Sequence, residues 1–124
     1  MPDDFTVEDV YSCVNADMVT TFNGAARKVS YRQSINSWEW RIATRVGHKL
    51  VQVIMVDYFQ FWVQTNEGTW CHKPGPLDSE YLGNVRPDTA SWDLPIMNPF
   101  TGTISYEKGF YDSDTIYMAL YRMD

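Results

Sequence analysis

Three apolar runs, rich in β-branched and aromatic residues, follow one another between residues 48 and 75. Asp57-Tyr58 separates the first two runs, and Asn66-Glu67-Gly68 separates the last two. Short runs of this kind, bounded by turn-forming residues, are typical of neighbouring antiparallel strands. We therefore expect the core of this chain to be built on a sheet.

A helix is expected to precede the sheet. Thr6 is a candidate N-cap, with Asp9 three residues later in an imperfect capping box, and Asn23-Gly24 is a stop signal. Apolar residues recur between these signals at helical spacing, namely Val7, Val10, Tyr11, Val14, Met18 and Phe22. One face of this helix should therefore pack on the sheet.

Alternation and apolar runs predict about five strands. A short strand is expected near Val29 and Tyr31, and a half-buried one over 38–43, broken afterwards by Gly47. The remaining predictions are a central strand over 50–56, covered on both faces, a hairpin of 59–65 with 69–73, and a last strand over 115–121.

A proline-punctuated section follows residue 73 and is expected to be irregular. Interleaved apolar residues should nevertheless be buried, namely Leu77, Tyr81, Leu82, Trp92, Leu94, Ile96 and Phe100. The section is therefore an excursion within one domain spanning residues 1–124. The fold class predicted is α+β, with an N-terminal helix packed on an antiparallel sheet.

Composition limits the partners. The formal net charge of −6 argues against nucleic acid, because neutralising phosphates needs clustered Lys and Arg. The N-terminus lacks the basic and apolar regions of a signal peptide, and no apolar run is long enough to span a membrane. A cytoplasmic protein with two free thiols is expected, with a peptide or protein as its partner.

The hairpin predicted around residues 66–68 places Gln64 opposite Trp70 and Trp62 opposite His72. One face would then carry polar groups framed by indoles, which suits a recognition surface. The candidate binding residues are Trp62, Gln64, Trp70, His72 and Lys73. The alternative is that both tryptophans belong to the core and are covered by the proline-rich section.

The cysteines and histidines give no metal motif, because neither a CxxC nor an HxxxH spacing occurs. No metal and no cofactor are predicted. Cys71 lies in a strand, where a buried thiol usually acts as a small apolar group. Cys13 lies on the helix, away from its apolar stripe and between Asp9 and Asp17.

One further pattern comprises Gly47-His48-Lys49, Glu67-Gly68, Trp70, His72-Lys73-Pro74-Gly75 and, more loosely, Ile116-Tyr117-Met118-Ala119. In these residues the chain resembles uncharacterised bacterial proteins with a papain-like (NlpC/P60-like) character. The match covers roughly the second half of the chain. His-Lys-Pro-Gly is its distinctive piece.

The resemblance implies a papain-like scaffold and a cysteine hydrolase that acts on an amide or peptide bond. Cys13 would be the nucleophile, His48 the general base, and Gln60 the group that orients the histidine. The alternative is a non-catalytic protein-binding domain, such as a phage- or bacterium-encoded inhibitor or immunity-type protein, using an acidic, tryptophan-rich surface.

Overall fold

The computed structural model describes residues 6–73 and 77–123. Pro74 and Gly75 of the resemblance lie outside these residues. One helix is followed by eight strands. They are α1 (Val7–Thr21), β1 (Ala25–Val29), β2 (Trp40–Val51), β3 (Ile54–Gln64), β4 (Trp70–His72), β5 (Glu80–Gly83), β6 (Leu94–Met97), β7 (Ile104–Glu107) and β8 (Ile116–Tyr121).

Six strands form an antiparallel sheet in the order β1-β8-β2-β3-β4-β5, and β6 and β7 pair as a separate hairpin. The predicted α+β class with a helix on an antiparallel sheet is confirmed. The sheet has six strands rather than about five, because residues 80–83 of the proline-rich section pair with β4.

The signals at both ends of α1 act as predicted. Thr6 and Asp9 form a complete capping box, in which each side chain accepts the other's backbone N–H. At the C-terminal end Asn23 is left-handed, with φ of 51°, and the Gly24 N–H donates to the Met18 carbonyl at 2.8 Å. The apolar stripe of α1 packs on β1, β2 and β8.

The two sheet faces carry separate cores. On the helix side, α1 residues meet alternate residues of β2 and β8, including Ile42, Val46 and Met118. On the other side, the aromatic core contains Trp62, Trp70, Trp92, Phe110 and Tyr117, packed under the proline-rich section. Burial on both faces explains why β8 is continuously apolar.

Gly47 does not break β2, contrary to the sequence-based prediction. The strand runs without interruption from Trp40 to Val51, and its segment 41–47 is buried on both faces rather than half-buried. A Cβ at position 47 would overlap the ring and carbonyl of Phe110, whose side chain is fully buried. Glycine is needed here because another element crosses the strand closely.

Residues 50–56 are not a central strand either. They form the tip of the β2–β3 hairpin, where Gln52 and Val53 make the two-residue turn with φ of 49° and 63°. Asn-Gly is the usual sequence for such a turn, since both central residues need positive φ. A β-branched residue such as Val53 is strained in this conformation. The sequence at positions 52 and 53 therefore does not predict a turn.

The proline-rich section is more regular than expected, because it contributes β5, β6 and β7. Trp92 and Leu94 are buried as predicted, whereas Tyr81 and Phe100 are exposed. The half-buried Arg45 side chain helps to fix the section on the sheet. Its guanidinium donates to the carbonyls of Pro87, Ala90 and Ser113, each at 3.1 Å.

Replacing Gly47 by alanine should destabilise the fold by about 1–3 kcal/mol, because the new methyl group overpacks the site of Phe110. Urea denaturation measures the change. Leu50→Ala on the same strand is the control, since its side chain is exposed and the expected change is within about 0.5 kcal/mol. Equal effects of both substitutions would contradict this explanation.

An acid-dependent loss of stability is expected from Glu39. The Arg27 guanidinium, which donates to this carboxylate at 2.9 Å, lowers the pKa of Glu39 from 4.5 to about 2. Between these values the unfolded chain binds a proton that the folded protein does not, so stability falls as the pH is lowered. Denaturation of Glu39→Gln should show a smaller loss over this range than the unchanged chain, and parallel losses would contradict the assignment.

Candidate functional site

The candidate nucleophile and base occupy different elements. Cys13 lies on the exposed face of α1, and His48 lies on β2 near the hairpin tip. The His48 ring contacts the Asp57 carboxylate, its directly paired neighbour on β3. No hydrogen bond joins Cys13 to His48 in the described part of the chain. The catalytic pair predicted from the resemblance is therefore not assembled.

Gln60 cannot orient His48, because the two side chains lie on opposite faces of the sheet. Gln60 pairs with Arg45 and His48 pairs with Asp57 in an uninterrupted register. Residues 45 and 48 are an odd number of positions apart, so their side chains point to opposite faces. The three predicted catalytic residues are thus distributed over two faces of the sheet and a helix.

Gln60 instead orients His72. Its side-chain Nε2 lies 3.4 Å from His72 Nδ1 and donates to the Lys73 carbonyl at 3.0 Å. His72 Nε2 lies 3.0 Å from the Glu80 carboxylate, and its ring stacks on Trp62 with centroids 6.1 Å apart. Gln60, Glu80 and Trp62 thus fix the orientation of the His72 imidazole.

The predicted register of the β3–β4 hairpin is confirmed, with Trp62 opposite His72 and Gln64 opposite Trp70. Both tryptophans are fully buried, at 0% exposure, within the aromatic core. They therefore offer no surface to a partner. The structure agrees with the alternative interpretation, in which both tryptophans belong to the core. The Gln64 amide donates to the Gly68 carbonyl within the hairpin loop.

A different surface offers itself for binding. A groove of about 980 Å³ lies between β3 and β6, and we call it the β3 groove. Its described lining comprises Val51, Gln52, Ile54, Val56, Tyr58, Phe59, Gln60, Phe61, Val63, Cys71, His72, Lys73, Ser79, Leu94, Pro95, Ile96, Met97 and Tyr111. Of the eight candidate site residues, Gln60, His72 and Lys73 line one end of the groove, and the other five are not part of its lining.

The β3 groove is apolar and uncharged over most of its length. None of its described lining residues is Asp or Glu, although the chain contains 16 of them. Burial raises the pKa of Tyr111 to about 12, so its phenol stays neutral at physiological pH. Gln60, His72 and Lys73 lie together at the end away from the hairpin tip. Such a groove suits an apolar segment with one polar end.

Sequence analysis missed this site because it placed residues 50–56 inside the sheet. The same apolar residues line the groove or stand exposed at the hairpin tip, where Val53 is 91% exposed. Apolar runs do not distinguish a buried strand from an exposed binding edge.

Within residues 6–73 and 77–123, no three His, Cys, Asp or Glu side chains converge in a way that could hold a metal ion. No described helix combines the length and the apolar character that crossing a bilayer requires. A comparison of the chain with family models, curated proteins and solved structures finds no significant match. The papain-like resemblance therefore stays a prediction.

The separation of Cys13 from His48 can be tested by thiol labelling. Iodoacetamide should label Cys13 at pH 6 at a rate that His48→Ala leaves unchanged, because no contact joins the two side chains. A Cys71→Ser background isolates the Cys13 signal, and mass spectrometry follows the label. A roughly tenfold lower labelling rate in the His48 variant would contradict this separation and support the predicted catalytic pair.

Proposed function

We propose that this chain is a non-catalytic protein-binding domain that takes an apolar segment of a peptide or protein partner into the β3 groove. The observation that carries the proposal is the exposed apolar surface at the two hairpins flanking the groove. Val53 at the tip of β2–β3 and Phe100 at the tip of β6–β7 are 91% and 95% exposed. Exposed apolar side chains on both sides of a groove indicate a candidate interaction site.

The groove lies between these hairpins. Val51, Gln52 and Ile54 of one hairpin and Ile96 and Met97 of the other line its open end. Exposed apolar side chains therefore continue from the groove onto its rim. A partner that covers both would remove from water an apolar area worth about 25 cal/mol per Å².

Backbone strain at the tip supports the same location. Val53 has a φ of 63°, a conformation that a β-branched residue adopts at a cost of about 1–3 kcal/mol. Strained residues persist where the surrounding structure or a function requires them. Here the strain presents an apolar side chain to solvent, which contributes nothing to the core and suits contact with a partner.

The proposed contact surface differs from the tryptophan-rich surface expected from the sequence. Trp62 and Trp70 are internal, so aliphatic and phenylalanine side chains supply the contact area in the β3 groove. The net charge of −6 does not oppose an apolar partner, since the described lining of the groove carries no carboxylate. A phage- or bacterium-encoded inhibitor or immunity-type role fits a small domain of this kind.

The cysteine-hydrolase hypothesis and the papain-like scaffold stay predictions of the resemblance. The labelling experiment on Cys13 tests the chemistry. No contact among the described residues favours it over binding, because His48 is engaged by Asp57 and Gln60 by His72.

Selection from a random-peptide phage library tests the binding proposal on the intact chain. We expect apolar peptides to be enriched and Ile54→Glu to weaken their binding about tenfold or more, because a carboxylate would be buried without a partner. Val19→Glu on α1 is the matched control, since both side chains are exposed apolar residues. Fluorescence polarisation measures both affinities.

Two outcomes would contradict the proposal. One is that no peptide is enriched. The other is that Ile54→Glu and Val19→Glu change the affinity equally, which would place binding outside the β3 groove.

A further inference from the structure

We propose that the partner segment binds as an additional β-strand along the open edge of β3. This inference rests on the proposed function and specifies how the β3 groove is occupied. β4 pairs with only the last part of β3, from Trp62 to Gln64. Among the described residues, no strand pairs with residues 54–61 on the side away from β2.

The lining of the groove shows that it follows this edge. Tyr58, Phe59, Gln60 and Phe61 all contribute to it, although successive residues of a strand point to opposite faces. Consecutive residues can line one groove only where the groove meets the edge of the strand. The backbone of β3 is therefore part of the binding surface.

Two hydrogen bonds show which backbone groups of β3 point away from β2. The Gln60 carbonyl accepts the Thr44 hydroxyl at 3.1 Å, so the peptide groups of residue 60 face β2. The Thr65 N–H faces the other way and donates to the Thr69 carbonyl at 2.8 Å. Backbone groups alternate along an antiparallel strand, so Met55, Asp57 and Phe59 direct N–H and C=O groups to the open side.

Natural sheets usually protect such an edge with lysine, proline or a bulge. Residues 54–61 contain none of these, and Asp57 is the one charged residue among them. Recognition domains that bind a peptide as an added strand use an exposed sheet edge of this kind, with main-chain hydrogen bonds giving affinity. Eight residues of β3 offer a length of about 26 Å.

The neighbouring side chains define the partner. An added strand would place alternate residues beside Met55 and Phe59 on one face and beside Val56 and Tyr58 on the other. Both sets meet apolar groups, so the partner is an extended segment that is apolar on both faces. Asp57, which contacts the His48 ring within the chain, is the one carboxylate of this edge, and a Lys or Arg beside it is favoured because opposite charges on adjacent strands attract.

A second copy of this chain fits the edge less well. Two β3 strands paired about Asp57 would bring like charges together, and each chain carries a net charge of −6. A basic residue within an apolar partner segment removes this conflict. The occupant proposed is therefore a different polypeptide.

Amide hydrogen exchange followed by NMR tests the inference on the unmodified chain, with a library-selected peptide as the probe. In the free protein the amides of Met55, Asp57 and Phe59 should exchange rapidly, whereas those of Val56 and Tyr58 are protected by β2. Saturating peptide should slow exchange at the first three by about tenfold or more.

Proline at position 59 gives a second test. Phe59→Pro removes the outward N–H but no bond to β2, and it should weaken peptide binding about tenfold beyond Phe59→Ala. The two variants lose the same ring, so the difference reports the backbone bond. If Phe59→Pro fails to fold by circular dichroism, the exchange measurement decides alone.

The outcomes separate the two proposals. Peptide binding that depends on Ile54 but leaves exchange at residues 55, 57 and 59 unchanged overturns strand addition and keeps groove binding. Absence of Ile54-dependent binding overturns both. Protection of these amides on dimerisation of the free chain, detected by sedimentation, would make a second copy the occupant and overturn the partner proposed.

Discussion

The pairing of β2 with β3 is the interaction on which the rest of the structure depends. It extends from Ile42 opposite Val63 to Val51 opposite Ile54 and is the longest ladder in the sheet. β2 also carries β8 on its other side, and thereby the helix-side core. β3 carries β4 and the floor of the β3 groove. The length of this hairpin creates both the core and a projecting tip that the core does not cover.

Short-range chemistry predicted most of the framework. The cap at Thr6, the stop at Asn23-Gly24 and the β3–β4 register follow from residues close together in the chain, and all are found. Such signals succeed because the interactions they describe are local. The α+β class follows from the same elements taken in order.

Tertiary contacts account for the failures. Gly47 looked like a strand break, but its role is set by Phe110, which is distant in sequence. The turn at Gln52-Val53 has no turn-forming sequence, so the hairpin must be held by its ladder rather than by its loop. The prediction of the candidate site failed for the same reason. The resemblance grouped Cys13, His48 and Gln60, but no local interaction brings these residues together.

The position of β8 has a consequence for how the chain is made. This last strand lies between β1 and β2, so residues 116–121 pair with residues that were synthesised 72 to 96 positions earlier. On the ribosome, β1 and β2 cannot become part of one sheet until β8, which pairs with both, emerges. Until then their apolar surfaces are candidates for chaperone binding.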